Sequence, residues 1–330
     1  MNMKSLASWC RLIALGALLA LTALQGRADA PAHLRWPLPA PGNDLVGELR
    51  TVIADRDTTL VDIGVRYGFG YEELRNANPA VDAWLVRKGT SITLPSRFIL
   101  PRGPREGIVI NTAEMRLYYY PRPGADGQRF VEVFPVSIGR GDWSTPLTST
   151  RVTVKQKDPA WYPPESIRRE HAADGRPLPK VVPPGPNNPL GQHVLRLGIP
   201  SYLIHGTNSQ YGIGMQVTHG CMRLYPQDIK HLYETVPVNT PVHIVYQPYK
   251  TGWDNGQLFL EVHPPLDGLS EEEMTSVTPL LEAMSSALEV APDYPLDSTA
   301  IQLARAEQNG LPRAIGPRIA LPADTRVAVQ

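Results

Sequence analysis

The side chains in this sequence best suited to nucleophilic chemistry are one cysteine and two histidines. His205 stands shortly before the stretch Thr218-His219-Gly220-Cys221-Met222-Arg223. A thiol must lose its proton before it attacks, and free cysteine has a pKa of about 8.5. A nearby imidazole can accept that proton or stabilise the thiolate. The residue types therefore predict that Cys221 is a nucleophile with a histidine partner.

The two histidines suit different tasks. If the chain around Cys221 is extended, His219 points to the same face as the thiol and can support the thiolate electrostatically. His205 ends the apolar segment 202–204 and can approach the sulfur from a neighbouring strand. That approach gives the better geometry for proton transfer, so we expect His205 to be the base.

Glycines flank both reactive residues. Gly206 leaves room for close backbone approach, and its carbonyl is placed to orient the imidazole of His205. Gly220 lets backbone N–H groups near Cys221 turn towards one point, as an oxyanion hole requires.

Metal binding is the main chemical alternative for a cluster of histidine and cysteine. Structural zinc generally takes four ligands, and Cys221 with two histidines leaves that set incomplete. The chain contains neither a Cys-x-x-Cys nor a His-Glu-x-x-His spacing. The sequence therefore predicts neither a metal nor a cofactor.

The N-terminus predicts export. Residues 1–30 combine the positive charges of Lys4 and Arg11, an apolar run over 12–24 and small residues near Ala28, which is typical of a cleaved signal peptide. The run is shorter than the roughly 20 residues that span a bilayer, so a retained anchor is the weaker alternative. No stable membrane span is expected after cleavage.

Export changes the interpretation of the cysteines. Cys10 would leave with the signal peptide, and Cys221 would remain as the single thiol of the mature protein. A lone thiol in an oxidising compartment indicates a reactive role or an intermolecular bridge. The alternative is a buried, inert cysteine.

Charge and composition limit the function classes. Lys+Arg and Asp+Glu both number 32, so no net field attracts nucleic acid. The 34 prolines and short apolar segments favour a β-rich chain. We predict a signal peptide over 1–30, a linker over 31–48, a small module over 49–95, a main domain over 106–246 and a C-terminal extension over 247–330.

The main domain carries the strand signals. Segments such as 108–110, 117–120, 131–138 and 242–246 predict a mainly β fold, a sandwich or barrel of largely antiparallel strands. The stretch 158–191 contains nine prolines, which no regular sheet can hold. We expect it to be either a functional lid or an ordered surface excursion.

The extension over 247–330 predicts a short helical cap. Ser270 with Glu273 forms a capping box. The apolar face that follows predicts one helix running to Pro292, and a second helix is predicted from Ser298 to Asn309.

The motif around the thiol resembles a known active site. His205-Gly206-Thr207 with Thr218 to Arg223 is similar to the motif of the YkuD-type L,D-transpeptidases, in particular the periplasmic ErfK/YbiS/YcfS/YnhG-like enzymes. Ile108 to Asn111, Arg116 to Tyr120 and Asn188-Pro189-Leu190-Gly191 also resemble that family. The resemblance implies a periplasmic enzyme and a target of carbapenems.

Residues 49–95 resemble a LysM module, a βααβ fold that binds peptidoglycan glycan. The resemblance rests on Asp57-Thr58-Thr59-Leu60, Asn78-Pro79 and Ile92-Thr93-Leu94. The glycine that usually precedes the Asp-Thr step is missing. The alternative is a LysM-like spacer that binds little glycan.

The YkuD resemblance implies a role for each residue of the motif. Cys221 would attack the peptidoglycan stem-peptide carbonyl before the fourth-position D-Ala, release D-Ala and form a thioester. His205 would be the general base and then the acid, oriented by Gly206. His219 would support the thiolate, and backbone groups of Gly220 and Cys221 would hold the oxyanion. Arg223 would either stabilise the site or tie down its loop.

The motif leaves the acyl acceptor open. A lysine of an outer-membrane lipoprotein is slightly favoured as partner. A diamino acid of a second stem would give 3→3 cross-links, and water would make the enzyme an L,D-carboxypeptidase. A non-catalytic glycan-binding scaffold is the alternative from a different class, but it would be expected to lack Cys221 or His205.

Overall fold

The computed structural model describes residues 33–320. The predicted signal peptide and Cys10 lie outside the described residues. Among those that are described, no helix has the length and apolar character needed to cross a membrane.

The N-terminal part is a small unit built around two helices. Its elements are β1 (Leu34–Pro37), β2 (Leu45–Gly47), β3 (Arg50–Ile53), α1 (Leu60–Tyr67), α2 (Tyr71–Ala77), β4 (Ser91–Leu94) and β5 (Arg97–Ile99). Thr59 caps α1 reciprocally with Asp62, and α1 ends at Gly68 with φ of +78°. β3 pairs antiparallel with β4. The chain thus has the βααβ order, while the LysM assignment stays a prediction.

The central part is the mainly β region that the sequence predicted. Its strands are β6 (Gly107–Asn111), β7 (Arg116–Tyr120), β8 (Phe130–Pro135), β9 (Ile138–Gly139), β10 (Thr148–Lys157), β11 (His193–Leu197), β12 (Leu203–His205), β13 (Gln216–Thr218), β14 (Met222–Arg223) and β15 (Pro241–Val245). Its helices are α3 (Glu165–Ala173) and α4 (Pro226–Thr235).

One large sheet organises these strands. Nine of them hydrogen-bond in the order β1-β8-β7-β6-β15-β10-β11-β12-β14. The pairs β6–β15 and β12–β14 are parallel, and the remaining pairs are antiparallel. The predicted mainly β, largely antiparallel fold is confirmed.

The central strands of the sheet are buried on both faces. Ile108 and Ile110 pack with α4 on one face, while Val109 packs with α1 and α2 of the N-terminal unit on the other. Successive strand residues point to opposite faces. A strand covered on both sides therefore reads as a continuous apolar run. This is why β6 and β7 lack the polar alternation of a half-exposed sheet.

The C-terminal part contains strands as well as the predicted helices. Its elements are β16 (Tyr249–Asp254), β17 (Gln257–Val262), α5 (Glu271–Thr275), α6 (Thr278–Leu288), α7 (Ser298–Glu307) and β18 (Arg313–Ala314). The capping box at Ser270 starts α5, but the helix does not run on to Pro292. Pro279 stands at the first turn of α6, where its missing N–H is tolerated, and the chain breaks before it.

The proline-rich stretch 158–191 is ordered around a helix that the sequence analysis did not predict. α3 occupies its proline-free centre, and Trp161 pairs with Val182 through backbone hydrogen bonds of 2.9 Å and 2.8 Å. Asn188 is fully buried and donates to the Pro159 carbonyl at 2.8 Å. These contacts fix both ends of the stretch to each other.

A network of buried charges joins the three parts of the chain. Lys250 on β16 lies between two carboxylates, with its Nζ 2.7 Å from Glu114 and 2.8 Å from Glu261. All three side chains are fully buried. Arg116 on β7 extends the network to α2, because its Nε donates to Glu73 at 2.6 Å. Burial opposes ionisation of Glu261, but the charges of its partners, led by Lys250, lower its pKa to about 2.

Replacing Lys250 by methionine removes the central cation of this network. Glu114 and Glu261 would then be buried without their main counter-charge. We expect Lys250→Met to lower the free energy of unfolding by about 3–5 kcal/mol, as for other broken buried ion pairs. Urea denaturation measures the change.

The matched control is Lys230→Met. Lys230 is exposed and 4.0 Å from Glu234, so the same substitution should cost less than about 1 kcal/mol. Equal losses in the two variants would show that the network does not hold the parts together.

Candidate active site

Cys221 lies in the short connection between β13 and β14. The chain bends at His219 and Gly220, and Gly220 has φ of +94°. A side chain at position 220 would also place its Cβ 2.9 Å from the ring of Tyr202. Glycine is therefore required there both by conformation and by space. Thr145 donates to the Gly220 carbonyl at 2.9 Å and fixes the bend.

The thiol of Cys221 is half-buried among apolar side chains. It packs with Leu190, Val194 and Leu203. Its Sγ donates to the backbone carbonyl of Ser201 at 3.5 Å. Burial raises the pKa of the thiol to about 11, and a backbone hydrogen bond from Leu203 opposes the shift only in part. The resting side chain is thus a neutral thiol at neutral pH.

His205 is buried at the end of β12, the strand beside β14. The register pairs Ile204 with Met222 and His205 with Arg223. Continued by one residue, this register sets Cys221 beside Leu203, two residues before His205. Side chains two residues apart share a face of the strand. His205 and Cys221 therefore face the same side.

The imidazole of His205 is held in one orientation. Its Nδ1 lies 2.6 Å from the carbonyl oxygen of Gly206. A carbonyl only accepts, so Nδ1 carries the proton and Nε2 is left as an acceptor. Burial, aided by the charge of Arg223, lowers the pKa of His205 to about 4 against backbone hydrogen bonds that favour the cation. The ring is therefore neutral at pH 7.

His219 contacts a charged cluster. Its Nε2 is 3.2 Å from Glu170 on α3 and 3.5 Å from the guanidinium of Arg140. Because the chain bends at Gly220, the strand alternation that would align His219 with Cys221 does not apply. Burial lowers the pKa of His219 despite Glu170. Support of the thiolate by His219 stays a prediction.

Arg223 contacts the loop before the active-site strand. Its Nη2 donates to the carbonyl of Gly212 at 3.3 Å, and its backbone exchanges two hydrogen bonds with Ser137. The contacts of Arg223 with Gly212 and Ser137 favour the loop-tying role over the other role that the sequence left open.

Gly206 lies close to α4, where an added Cβ would be 3.0 Å from Ile229.

Within residues 33–320, two groups have the donor types and spacing of a metal site, and neither includes Cys221. The first, Glu114 with Glu261 and His263, already surrounds the ammonium of Lys250. The second consists of His33, Glu132 and His231. Around Cys221 itself lie a neutral imidazole and a glycine bend, the groups that acyl transfer through a thiol would use.

Comparison with known proteins places this chemistry in a family. Residues 105–244 match the YkuD family, described as the L,D-transpeptidase catalytic domain. The chain is 40% identical to the probable L,D-transpeptidase YcfS of Escherichia coli strain K12, over 84% of this chain and 87% of that protein. The chain belongs to this L,D-transpeptidase family.

Two further relatives carry the same family name. Identity is 44% with the probable L,D-transpeptidase ErfK/SrfK of Salmonella typhimurium, over 71% of this chain and 75% of that protein. It is 38% with the probable L,D-transpeptidase YbiS of Escherichia coli strain K12, over 88% and 94%. The similarity extends well beyond the catalytic domain on both sides.

Sequence reasoning missed the polar cluster on the open side of this L,D-transpeptidase site. It consists of Arg140, Asp142 and Glu170, with Trp143 edge-on to His219 at 5.2 Å between ring centroids. Arg140 bridges both carboxylates. One signal was available, because residues 165–173 form a proline-free run inside the proline-rich stretch.

The N-terminal unit supports the loop that precedes Cys221. The N–H groups of Tyr71 and Glu72, at the start of α2, donate to the carbonyls of Ile213 and Gly214 at 3.0 Å and 3.2 Å. The two backbones approach so closely that a Cβ at Gly214 would lie 2.4 Å from the Cα of Gly70. The residues 49–95 therefore contact the active-site region directly.

The burial of Cys221 predicts how its reactivity depends on pH. Below a pKa of about 11 the thiolate fraction rises tenfold per pH unit. We expect alkylation of the folded protein by iodoacetamide to be slow at pH 7 and still rising at pH 10, measured by mass spectrometry of the Cys221 peptide. The urea-unfolded chain is the control and should titrate near the free value of about 8.5. A plateau of the alkylation rate below pH 8 in the folded protein would reveal a preformed thiolate and contradict the raised pKa of Cys221.

The contact between Gly70 and Gly214 can be tested by substitution. We expect Gly214→Ala to destabilise the protein by about 1–3 kcal/mol more than Gly68→Ala, because only the former forces two backbones apart. Gly68 is a matched control, since it also has a positive φ but nothing within 4 Å of an added Cβ. Urea denaturation compares the two variants. Equal losses would mean that backbone strain alone is responsible.

Proposed function

We propose that this chain is a peptidoglycan L,D-transpeptidase that acts through a thioester on Cys221. The observation that carries the proposal is the neutral imidazole of His205, fixed by the Gly206 carbonyl and facing the same side as the thiol. Family membership supplies the reaction class. The substrate is the stem peptide, cleaved before its fourth-position D-Ala.

The reaction divides into two acyl transfers. In the first, Sγ of Cys221 attacks the peptide carbonyl while its proton passes to Nε2 of His205. The C–N bond then breaks, and the same proton leaves with the amine of D-Ala, so that His205 is neutral again. In the second transfer, His205 takes a proton from the incoming amine as it attacks the thioester, and that proton returns to Sγ.

The two pKa values support a proton transfer that is coupled to attack. With the thiol near 11 and the imidazole near 4, the pair rests as neutral thiol and neutral imidazole. A separated thiolate and imidazolium would be strongly disfavoured before the substrate binds. Donors that stabilise the developing oxyanion then contribute to the first step, and the backbone at Gly220 and Cys221 is proposed to supply them.

An amine is the proposed acceptor, with a lipoprotein lysine slightly favoured over a diamino acid. The carboxylates of the half-buried Glu170 and the exposed Asp142 lie beside His219, and the guanidinium of Arg140 offsets them in part. This edge of the site carries a net negative charge when His219 is neutral. It would therefore attract a cationic amine, which supports transfer to an amine over transfer to water.

The periplasm is the proposed location, because the predicted signal peptide and the family both fit it. We also propose that residues 49–95 act as structural support for the site. Their helices share a core with β6, β7 and β8, and α2 bonds to the loop at Ile213. Removing the module would expose that core, so a deletion would not isolate a glycan-binding role. Binding of glycan by the module remains part of the proposal.

The proposed nucleophile is tested with Cys221→Ala and His205→Gln. We expect Cys221→Ala to release no D-Ala from tetrapeptide muropeptides, and His205→Gln to lose at least about 100-fold in turnover, the scale of general acid–base catalysis. Liquid chromatography with mass spectrometry measures free D-Ala. Circular dichroism checks that both variants are folded, and wild-type turnover in Cys221→Ala would refute the mechanism.

The same assay distinguishes the acceptors. Wild-type enzyme receives the tetrapeptide donor together with a lysine-terminated peptide or a second stem peptide. A cross-linked product with either amine supports a transpeptidase. Tripeptide as the sole product would identify an L,D-carboxypeptidase. The absence of any product from every mixture would support the alternative of a non-catalytic glycan-binding scaffold.

A further inference from the structure

A cluster of three potential metal ligands lies at the outer edge of the nine-stranded sheet, on elements that the proposed reaction does not use. It consists of His33 just before β1, Glu132 on β8 and His231 on α4. One ligand atom from each residue lies within 4.8 Å of the other two. The cluster brings together residues that are about a hundred positions apart in the chain.

The alternation of the two strands explains how these side chains meet. Val131 and Val133 of β8 face the N-terminal unit, so Glu132 between them faces α4. β1 pairs antiparallel with β8, with Arg35 opposite Glu132. His33 lies on the same face as Arg35 because it is two residues away. His231 then reaches Glu132 from α4.

Both imidazoles present the same nitrogen to the same carboxylate. Nε2 of His231 is 2.8 Å from one oxygen of Glu132, and Nε2 of His33 is 3.6 Å from the other. The two rings stack with centroids 3.9 Å apart and planes inclined by 27°. The two Nε2 atoms and the Glu132 carboxylate therefore converge, with one ligand atom from each residue within 4.8 Å of the other two.

We infer that His33, Glu132 and His231 form a binding site for a divalent transition metal of the zinc type. Two imidazole nitrogens and one carboxylate oxygen are a preferred donor set for Zn²⁺, with a fourth position left to water. Glu132 is buried, whereas the side chains of the two histidines are 26% and 25% exposed. Solvent can therefore reach the site, which gives an ion an entry path.

The buried cluster Glu114, Glu261 and His263 is a useful contrast. It has one imidazole and two carboxylates, but the ammonium of Lys250 already lies between the carboxylates. The cation that pairs with Glu132 among residues 33–320 is Arg35, whose Nε is 3.6 Å away and whose side chain is 48% exposed. Arg35 also stacks on Phe130 at 4.0 Å, so it can stay on that ring when an ion takes the carboxylate.

The consequence of the site is mechanical. β1 has four residues and forms the edge of the sheet, so few hydrogen bonds hold it. A metal that joins His33 to α4 and β8 would clamp this strand onto the catalytic domain. This inference is independent of the proposed transpeptidase reaction, because the cluster is not part of the Cys221 site.

Zinc binding to the untagged chain carrying Cys10→Ala and Cys221→Ala tests the site, since these substitutions remove both thiols that could compete for Zn²⁺. Isothermal titration with Zn²⁺ should give one ion per chain. We expect His33→Gln and His231→Gln each to weaken binding by more than about tenfold. His243→Gln is the control, because His243 is half-buried, bonds Ser149 and lies outside the cluster; it should bind like the parent.

Two further measurements distinguish a loss of metal binding from misfolding of the variants. Circular dichroism checks each variant, and Co²⁺ replaces Zn²⁺ to give a visible absorption band characteristic of imidazole-bound tetrahedral cobalt. The band should appear in the parent and in His243→Gln and be lost in His231→Gln. No stoichiometric binding by the folded parent, or binding unchanged in both His33→Gln and His231→Gln, would overturn the inference.

Discussion

The ammonium of Lys250, enclosed by Glu114 and Glu261, is the interaction on which the arrangement of the chain depends. Three charges buried together are stable only when each is paired and hydrogen-bonded. Lys250 meets that requirement, since it also donates to the Ile99 carbonyl and to Tyr118. The partners come from the C-terminal strands, from the catalytic sheet and from β5 of the N-terminal unit.

This network also explains why the catalytic domain is not an independent body in this chain. The family match covers residues 105–244, but Glu73 precedes that range and Lys250 and Glu261 follow it. Arg116 inside the range would be left without Glu73 if the N-terminal unit were absent. The flanking parts therefore supply counter-charges to buried groups of the catalytic domain, Glu73 to Arg116 and Lys250 to Glu114. The curated relatives resemble the chain across these flanks as well, not only across the catalytic domain.

Desolvation shifts the pKa of the proposed nucleophile and the pKa of the proposed base in opposite directions. The same lack of water raises the pKa of Cys221 and lowers that of His205, because burial disfavours the charged form of each. A thiol kept protonated is a poor target for chance oxidation, which proceeds through the thiolate. If the chain is exported as proposed, the single thiol of its catalytic domain benefits from that protection. As a consequence, the thiol attacks only when the carbonyl carbon of a bound substrate accepts the sulfur while the proton leaves.

The sequence predicts best what is encoded by neighbouring residues. Cys221, His205 and the glycines beside them could be proposed because their motif lies in one short stretch of the chain, and the βααβ order followed from local periodicity and a turn signal. The strands β16 and β17 were missed although Asn255-Gly256 between them is a strong hairpin signal. Both residues have positive φ, as a tight hairpin turn of this kind requires. The single helix expected after Ser270 was wrong because the break before Pro279 was overlooked.

Contacts between distant segments could not be predicted in the same way. Glu170 reaches His219 only because α3 folds over the site from within the proline-rich stretch, and no local pattern encodes that placement. The bend at Gly220, with φ of +94°, interrupts the alternation that an extended chain would impose between His219 and Cys221. His219 joins Arg140 and Glu170 in a charged cluster, and its support of the thiolate stays a prediction. The proposed acceptor amine would enter past this cluster. The bend at Gly220 therefore lies between the proposed nucleophile, Cys221, and His219, which joins the charged cluster that would face the second substrate.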